Sequence, residues 1–559
     1  MPNMYKRKRS FKIGKLKFVF FTVILLAVGY FSFNYYLDKS LEKGNAALLS
    51  GDLKKAELYY LKVTRLPFSN GKGHDGLGAV ALLQNRHDEA KNHFQVVLAN
   101  KTNANLSNIQ TALNVFITRG DYEAGKTYRD FLLQWLGTEV NQFNIEYAAL
   151  SLGNFELAQA RQFLSNTPEE QKQSKPYQRI LSLADEYENN EEVPILYDRD
   201  GDPIMVFNLN NSQYEYVTPQ LFYAWPKQED YGNKMDRIDW KNKVFTTIDL
   251  DLQRVAHQAM KGYEGSLILM HAGSGEIVAA YGTKGFSPFE TEFEPGSVIK
   301  VLTYAAFLEE NGNSDAYAPK NYPGNTSISG KVFYDWKTHG QLNSIGEGMA
   351  VSCNLMFAQM GVDMGWVSLR KMYNRFFDRK QTDFLLGKMM KGQILETPTN
   401  DYEIARMAIG LDGIASTVRG LIQIPAAIAN KGVCPSPVMV SRCETIHGQV
   451  YKKATPENGK KVFQTTTATE LMDSMKLSLS FDQGTARRAA VEGVEAAMKT
   501  GTAGERPFDS VMIGVLNPSK PQLVFAFHLY KGGKCEINGA LVASRLQSQI
   551  KVIAPQFLQ

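Results

Sequence analysis

Cysteine is scarce in this chain: Cys353, Cys434, Cys443 and Cys535 are the only four in 559 residues. That density excludes a disulfide-built scaffold. In an exported domain Cys434 and Cys443, nine residues apart across Pro435 and Pro437, would still be placed to staple a hairpin. No cysteine and histidine spacing follows a zinc pattern, so neither a metal nor another cofactor is expected. Charge excess is also lacking. The net charge of +5 comes largely from Lys6, Arg7, Lys8, Arg9, Lys12, Lys15 and Lys17, and the remainder is close to neutral. That leaves no electrostatic footprint for nucleic acid. With 44% hydrophobic and 21% charged residues, the composition excludes a chain dominated by disorder. Its length suggests about three or four domains.

The basic tail, residues 1–17, is followed by FVFFTVILLAVGYFSFNYY, Phe18 to Tyr36, a charge-free run of the length that crosses a bilayer as a helix. Aromatics crowd its end and Asp38 closes it. With the basic residues on its N-terminal side, the tail is expected in the cytoplasm and everything from about Leu37 outside the cytoplasmic membrane, in the periplasm or its equivalent. No small-x-small site follows, so the run reads as an uncleaved single-pass anchor rather than a signal peptide.

A short pattern then recurs: GDLKKA from Gly51, NRHDEA from Asn85, GDYEAG from Gly120 and GNFELA from Gly153, in steps of 34, 35 and 33 residues. Each ends on a small residue, Ala56, Ala90, Gly125 or Ala158, with Tyr60, Phe94 and Phe163 as large residues further on. Residues 40–166 therefore resemble a degenerate all-α array of tetratricopeptide hairpins. Such arrays act as stalks or platforms for a protein partner. Polar residues 167–193 read as a linker with room for one helix.

From 194 onward the pattern changes to α/β. ILYDRDGDPIMVFNL alternates about an Asp-Gly turn and predicts a hairpin within a short region, 194–240. VFTTIDLDLQRVAHQAM predicts a strand feeding an amphipathic helix, and SLILMHAGSGEIVAAYG a second hairpin. FDSVMIGVLNP and QLVFAFHLY predict two late strands, with a closing helix in INGALVASRLQSQIKVI. Early and late strands around a helical middle predict one sheet built from both ends of the domain.

Within that domain, EPGSVIKVLTY places Ser297 and Lys300 three residues apart in an otherwise apolar run. On a helix beginning after Gly296 they share a face. A serine hydroxyl is a weak nucleophile until a base takes its proton, and a lysine serves as that base only where burial holds it neutral near pH 7. The apolar neighbours of Lys300 supply that burial. Two further motifs follow in order: Ser352 and Asn354 in VSCNLMF, and Lys499, Thr500, Gly501 and Thr502 in MKTGTAG.

The series S-x-x-K, S-x-N and K-T-G resembles the motif set of penicillin-binding proteins and serine β-lactamases. TTIDLDLQ, PGSVIK, GQLNSIGEGMAVSCNLMFAQMG, AIGLDG, AAIANKGV and the GTA at Gly484–Ala486 extend the likeness over about 195–559. The resemblance implies a transpeptidase fold, an antiparallel sheet with a helical subdomain, over 194–559. It also implies that Ser297 is the acylated nucleophile, Lys300 its base, Ser352 a proton relay and Asn354 a clamp on Lys300 and the substrate amide. Lys499 would add positive potential, and Thr500 and Thr502, either side of Gly501, would hold the substrate carboxylate. Backbone amides at Ser297 and Thr502 would form the oxyanion hole.

By the same resemblance, the substrates are D-Ala-D-Ala stem peptides of peptidoglycan, and penicillins acylate the same serine. Val301 departs from the proline common after the motif lysine, and no glycosyltransferase region is recognisable. Three alternatives remain open. One is a D,D-carboxypeptidase; another is a β-lactamase, for which Glu396 in ETPTN would be the deacylating base; the third is a non-catalytic β-lactam sensor or scaffold.

Overall fold

The computed structural model describes residues 6–66, 69, 71–225, 242–377, 382–384, 387–389, 391–454 and 459–558. Residues 1–5 of the basic tail and 226–240 of the predicted hairpin region lie outside the described residues. The chain forms two compact units, Met1–Glu191 with Glu444–Tyr451, and Glu192–Cys443 with Lys452–Gln559.

In the first unit, α1 (Lys6–Leu49) is one continuous helix where an anchor ending at Tyr36 and a separate array starting near 40 were expected. No proline interrupts residues 18–49, so helical bonding runs on as the environment changes. Phe18 and Phe31 are 73% and 72% exposed, whereas Leu37, Leu41 and Leu48 are buried. The segment from Phe18 is long and apolar enough to cross a membrane.

Helices then come in pairs: α1 with α2 (Leu53–Thr64), α3 (His74–Leu83) with α4 (His87–Ala99), α5 (Leu106–Arg119) with α6 (Tyr122–Leu136), and α7 (Asn144–Gly153) with α8 (Leu157–Ser165). A left-handed residue marks the turn inside each pair, Gly51, Asn85, Gly120 and Phe155. The fourth repeat is thus registered two residues later than its sequence suggests. Ala160, not Ala158, is the buried small residue there, and Leu164 rather than Phe163 takes the place held by Tyr60 and Phe94. In the third repeat that place belongs to Arg129, 1% exposed, whose guanidinium donates to Ser151 Oγ at 2.7 Å.

The one helix allowed for in the expected linker is α9 (Lys175–Asn189), which buries Tyr177, Ile180, Ala184 and Tyr187 within the same unit. Its spacing of three, four and three is that of an amphipathic helix, masked in the sequence by a highly polar outer face.

The second unit contains two main sheets. One is a six-stranded sheet in which Val440–Glu444, Lys243–Thr246, Glu192–Tyr197, Pro203–Asn208 and Gln213–Tyr216 lie in that order, and it includes the predicted hairpin. Beyond it α10 (Leu250–Ala259) starts at Asp249, whose carboxylate accepts the Asp251 and Leu252 N–H groups, a helix cap.

The other sheet joins β1 (Glu264–His271), β2 (Ile277–Gly282), β3 (Ala496–Ala503), β4 (Asp509–Leu516) and β5 (Leu523–Tyr530) in the order β3-β4-β5-β1-β2, every pair antiparallel. Both ends of the domain therefore build it, as the sequence predicts. Its core pairs Leu267, Leu269, Met498, Met512, Phe525 and Phe527 with apolar residues of α10 and α15 (Ala540–Ile553), given below in its place among the helices.

The helical part includes α11 (Lys300–Glu309), α12 (Ile345–Ala350), α13 (Asn354–Tyr373) and α14 (Thr465–Ser480), followed in the chain by α15. Helix α11 packs on α13 and α14, and α14 on β3.

All four cysteines are buried, and none forms a disulfide. Cys434 pairs through its strand with Lys460, whereas Cys443 lies in the six-stranded sheet, so the two thiols sit in different sheets and form no staple.

Candidate active site

The site is assembled where the turn before α11 meets β3, the edge strand of the five-stranded sheet. Gly296–Ile299 is a 3-10 turn that runs into α11, not the α-helix expected after Gly296. At three residues per turn, the 3-10 geometry stacks Ser297 and Lys300 on one line. Ser297 is half-buried, while Lys300 has no exposed surface.

The approach of turn and strand is close enough to demand glycine on both sides. A Cβ on Gly296, at φ 57°, would lie 2.8 Å from the Thr502 carbonyl oxygen, and one on Gly501 would lie 2.8 Å from that of Pro295.

Lys300 Nζ lies 2.7 Å from the Ser352 carbonyl oxygen, 2.6 Å from Asn354 Oδ1 and 3.2 Å from Ser352 Oγ. A neutral amine has two N–H bonds and one lone pair. The two carbonyl oxygens absorb the N–H bonds, which leaves the lone pair as a proton acceptor. Burial lowers the Lys300 pKa to about 8, with the Asp335 carboxylate and Cys353 pulling weakly the other way. Lys499 is also fully buried; burial first, then the charge of Lys300, drives its pKa well down. Its Nζ reaches Ser352 Oγ at 2.8 Å and the Thr500 carbonyl at 2.7 Å. Ser352 thus lies between two lysines, held by a left-handed backbone at φ 56° that a non-glycine residue adopts only at some cost.

Direct hydrogen bonds therefore join Lys300, Ser352, Asn354 and Lys499, as their motifs suggested. Thr500, Gly501 and Thr502 lie on β3, beside the Ser297 turn. The Thr500 hydroxyl donates to Thr485 Oγ1 at 2.6 Å, and Thr502 Oγ1 accepts the Cys535 N–H at 3.3 Å. Glu396 is exposed on its loop, and Asn400 caps the helix Asp401–Ala408 by accepting the Glu403 N–H, so neither takes the place of a deacylating pair.

Two residues escaped the sequence reading. Thr485 lies inside the GTA stretch and was legible there only as a family resemblance. Asp335 had no signal at all. Its Oδ2 accepts the N–H groups of Asn354 at 2.9 Å and Leu355 at 3.3 Å and the Cys353 thiol at 3.1 Å, and its Oδ1 accepts the Trp336 N–H at 2.8 Å. It fixes the start of α13, and with it Asn354, from 19 residues away in sequence.

The description "Penicillin binding protein transpeptidase domain" matches residues 265–548, just over half of the chain. This chain belongs to that family. The penicillin-binding protein PbpB of Mycolicibacterium smegmatis is 27% identical over 305 residues, covering 49% of this chain and 46% of that protein. Stage V sporulation protein D of Bacillus subtilis is 26% identical, with 49% and 46% covered. The chain thus spans just under half the length of these curated relatives.

Among solved structures, the D,D-transpeptidase domain of a peptidoglycan glycosyltransferase from Eggerthella lenta aligns with a TM-score of 0.58 at 22% identity, over 65% of this chain and 99% of that one. The imipenem acyl-enzyme of penicillin-binding protein A from M. tuberculosis aligns at 0.56 and 18%, over 65% and 99%. At these identities the likeness is one of fold. The penicillin-binding transpeptidase fold expected for 194–559 is therefore the fold of the second unit.

Proposed function

We propose that this protein is a peptidoglycan D,D-transpeptidase working through a Ser297 acyl-enzyme. The observation that carries the reading is the buried Lys300 amine, one 3-10 turn from Ser297, with its N–H bonds taken up by Ser352 O and Asn354 Oδ1. Such an amine removes the Ser297 proton as Oγ attacks the penultimate D-Ala carbonyl of a stem peptide. The carbonyl becomes an oxyanion facing the backbone amides of Ser297 and Thr502. Its collapse breaks the peptide bond, a proton passes through Ser352 to the departing amine, and D-Ala leaves. An amine of a second stem peptide then attacks the ester and gives up a proton to Lys300; as the ester C–O bond breaks and the cross-link forms, Lys300 returns that proton to Ser297 Oγ. Lys499, Thr500 and Thr502 hold the substrate carboxylate. Penicillins enter by the same first step. Exposure of Glu396 on its loop, away from any role as a buried water-activating base, favours this reading over a β-lactamase.

The residues before Phe18 lie in the cytoplasm, α1 crosses the membrane once, and the rest faces the cell wall. The paired helices over 40–166 act as a tetratricopeptide-like platform for a protein partner. Their support is the left-handed turn that recurs at positions 51, 85, 120 and 155.

The test is to incubate the full-length protein in detergent with a stem pentapeptide ending in D-Ala-D-Ala, with and without an amine acceptor, and to analyse the products by mass. Acceptor-linked peptide with released D-Ala supports transpeptidation. Hydrolysed tetrapeptide alone, whatever the acceptor concentration, replaces it with carboxypeptidation, and an unchanged pentapeptide leaves a sensor or scaffold.

A further inference from the structure

The helical unit holds a cavity of about 280 Å³, just under the roughly 300–1,000 Å³ of most small-ligand sites. Its wall includes Asp38 of α1, Lys72 and Asp75 where α3 begins, and Asn108 near the start of α5.

The inner wall is acidic and incompletely bonded. Asp75 and Asn108 are 3% and 2% exposed, and the Asn108 amide donates to Asp75 Oδ2 at 3.4 Å. That leaves Asn108 Oδ1 buried with no hydrogen-bond partner. Burial pushes the Asp75 carboxyl up, against hydrogen bonds from Asn108 and nearby backbone N–H groups, and among the described residues no cation pairs with it. An ionised carboxylate held out of water without a counter-charge is costly, and so is an unmet amide oxygen. Asp38, at the same cavity, is exposed. Three side chains that accept hydrogen bonds thus share one space, which matches the three N–H bonds of a primary ammonium group.

The two helix starts at the cavity are already met. Asn105 Oδ1 accepts the Asn108 N–H at 3.1 Å, and Asp75 lies in the first turn of α3. A simple anion would therefore meet two carboxylates before it met a free helix end. Lys72 nevertheless puts one positive charge on the wall, so the cavity offers both signs.

Its position narrows the ligand further. Asp38 lies two residues past Tyr36, about 3 Å of helix rise beyond the charge-free run. Because Asp38 shares the cavity with the starts of α3 and α5, those starts lie at the membrane end of the array.

We propose that this cavity binds the head group of phosphatidylethanolamine, with the ammonium on Asp75, Asn108 and Asp38 and the phosphate towards Lys72. The assignment rests on the reading of α1 as a membrane anchor, which sets the cavity at head-group depth. A lysine of a partner protein would satisfy the same acceptors, yet it would bring a second cation beside Lys72 with no phosphate between them. Phosphatidylcholine has no N–H to donate, and phosphatidylglycerol has no ammonium. The site therefore selects among lipids, and its occupant ties the membrane end of the helical array to the bilayer surface.

The test titrates full-length protein in detergent with phosphatidylethanolamine, phosphatidylcholine and phosphatidylglycerol of matched short acyl chains, read by native mass spectrometry. The expected result is one phosphatidylethanolamine per chain, held about tenfold or more tightly than either of the others. Asp75→Asn and Asn108→Leu should each abolish that preference, and Asp38→Asn should reduce it. Equal binding of the three lipids, preference for phosphatidylglycerol, or a preference unchanged in all three variants would overturn the proposal. Tighter binding of a lysine-containing peptide than of phosphatidylethanolamine, lost in Asp75→Asn, would replace the lipid with a protein ligand. If the two buried variants do not fold, the exposed Asp38→Asn and the wild-type comparison decide. Alkaline extraction of membranes tests the anchor separately: release of the chain removes the anchor reading, whereas retention without a lipid preference removes the head-group site alone.

Discussion

Lys300 Nζ sits 2.6 Å from Asn354 Oδ1, a contact across 54 residues of sequence that joins the start of α11 to the start of α13. It puts a lysine with no exposed surface against acceptors that match the two N–H bonds of its neutral form.

Replacing Lys300 by Met keeps the buried volume and removes the base. Acylation by a fluorescent penicillin should slow by about 10²–10⁴-fold, the range ascribed to a positioned general base, while the folded protein remains intact by circular dichroism. Lys300→Arg should be no better, because a guanidinium stays protonated at any working pH. Near-normal acylation of the Met variant would remove Lys300 from the base role.

The pH dependence has a definite sign. Lys300 is depressed from 10.5 to about 8 by burial, so its basic form increases as pH rises towards that value. The acylation rate should climb about tenfold per pH unit below about 8 and level off above it. The same depression means that the folded state holds fewer protons than the unfolded one between about pH 8 and about 10.5, so this group's contribution to stability rises with pH across that window. A rate that falls as pH rises from 6 to 8 would contradict the assignment.

Gly501→Ala tests the contact between turn and strand. The added Cβ would lie 2.8 Å from a backbone oxygen and 3.0 Å from Val298 Cγ2, and backbone cannot turn aside as a flexible side chain can. The strand should be pushed off the Ser297 turn, and acylation should fall by about a hundredfold, since small misplacements at a site cost that much. Unchanged acylation would mean that the turn and strand part freely.

In the helical unit, Gly78→Ala would place a Cβ 2.1 Å from the Phe94 ring, where α3 and α4 pack together. Overpacking of this kind costs about 1–3 kcal/mol. Calorimetry of the full chain should show a lower melting transition with penicillin acylation unaffected.

The candidate site was the more legible part of the molecule. Ser297, Lys300, Ser352, Asn354 and Lys499 each announce themselves through short-range spacing, because chemistry constrains residue type at fixed offsets. Both hairpins and the closing strands follow from alternation and turn residues. What escaped depends on partners distant in sequence. Asp335 acts on Asn354 through its side chain, and Asp75 meets Asn108 only after the chain has folded. The two-residue slip in the fourth repeat arose because Gly153 looks like the turn glycine, whereas the left-handed residue is Phe155, which has no sequence mark of that conformation. The one helix allowed for in residues 167–193 is α9, whose buried stripe was not legible because a 15-residue helix with a single such stripe reads as polar on average.

The most direct test of the central claim is the intact mass of the full-length protein during incubation with penicillin, beside Ser297→Ala. The account predicts one long-lived penicilloyl adduct on the wild type, mapped by peptide digestion to Ser297 and missing from the variant. An adduct of equal yield on the variant, or none on the wild type, would contradict it.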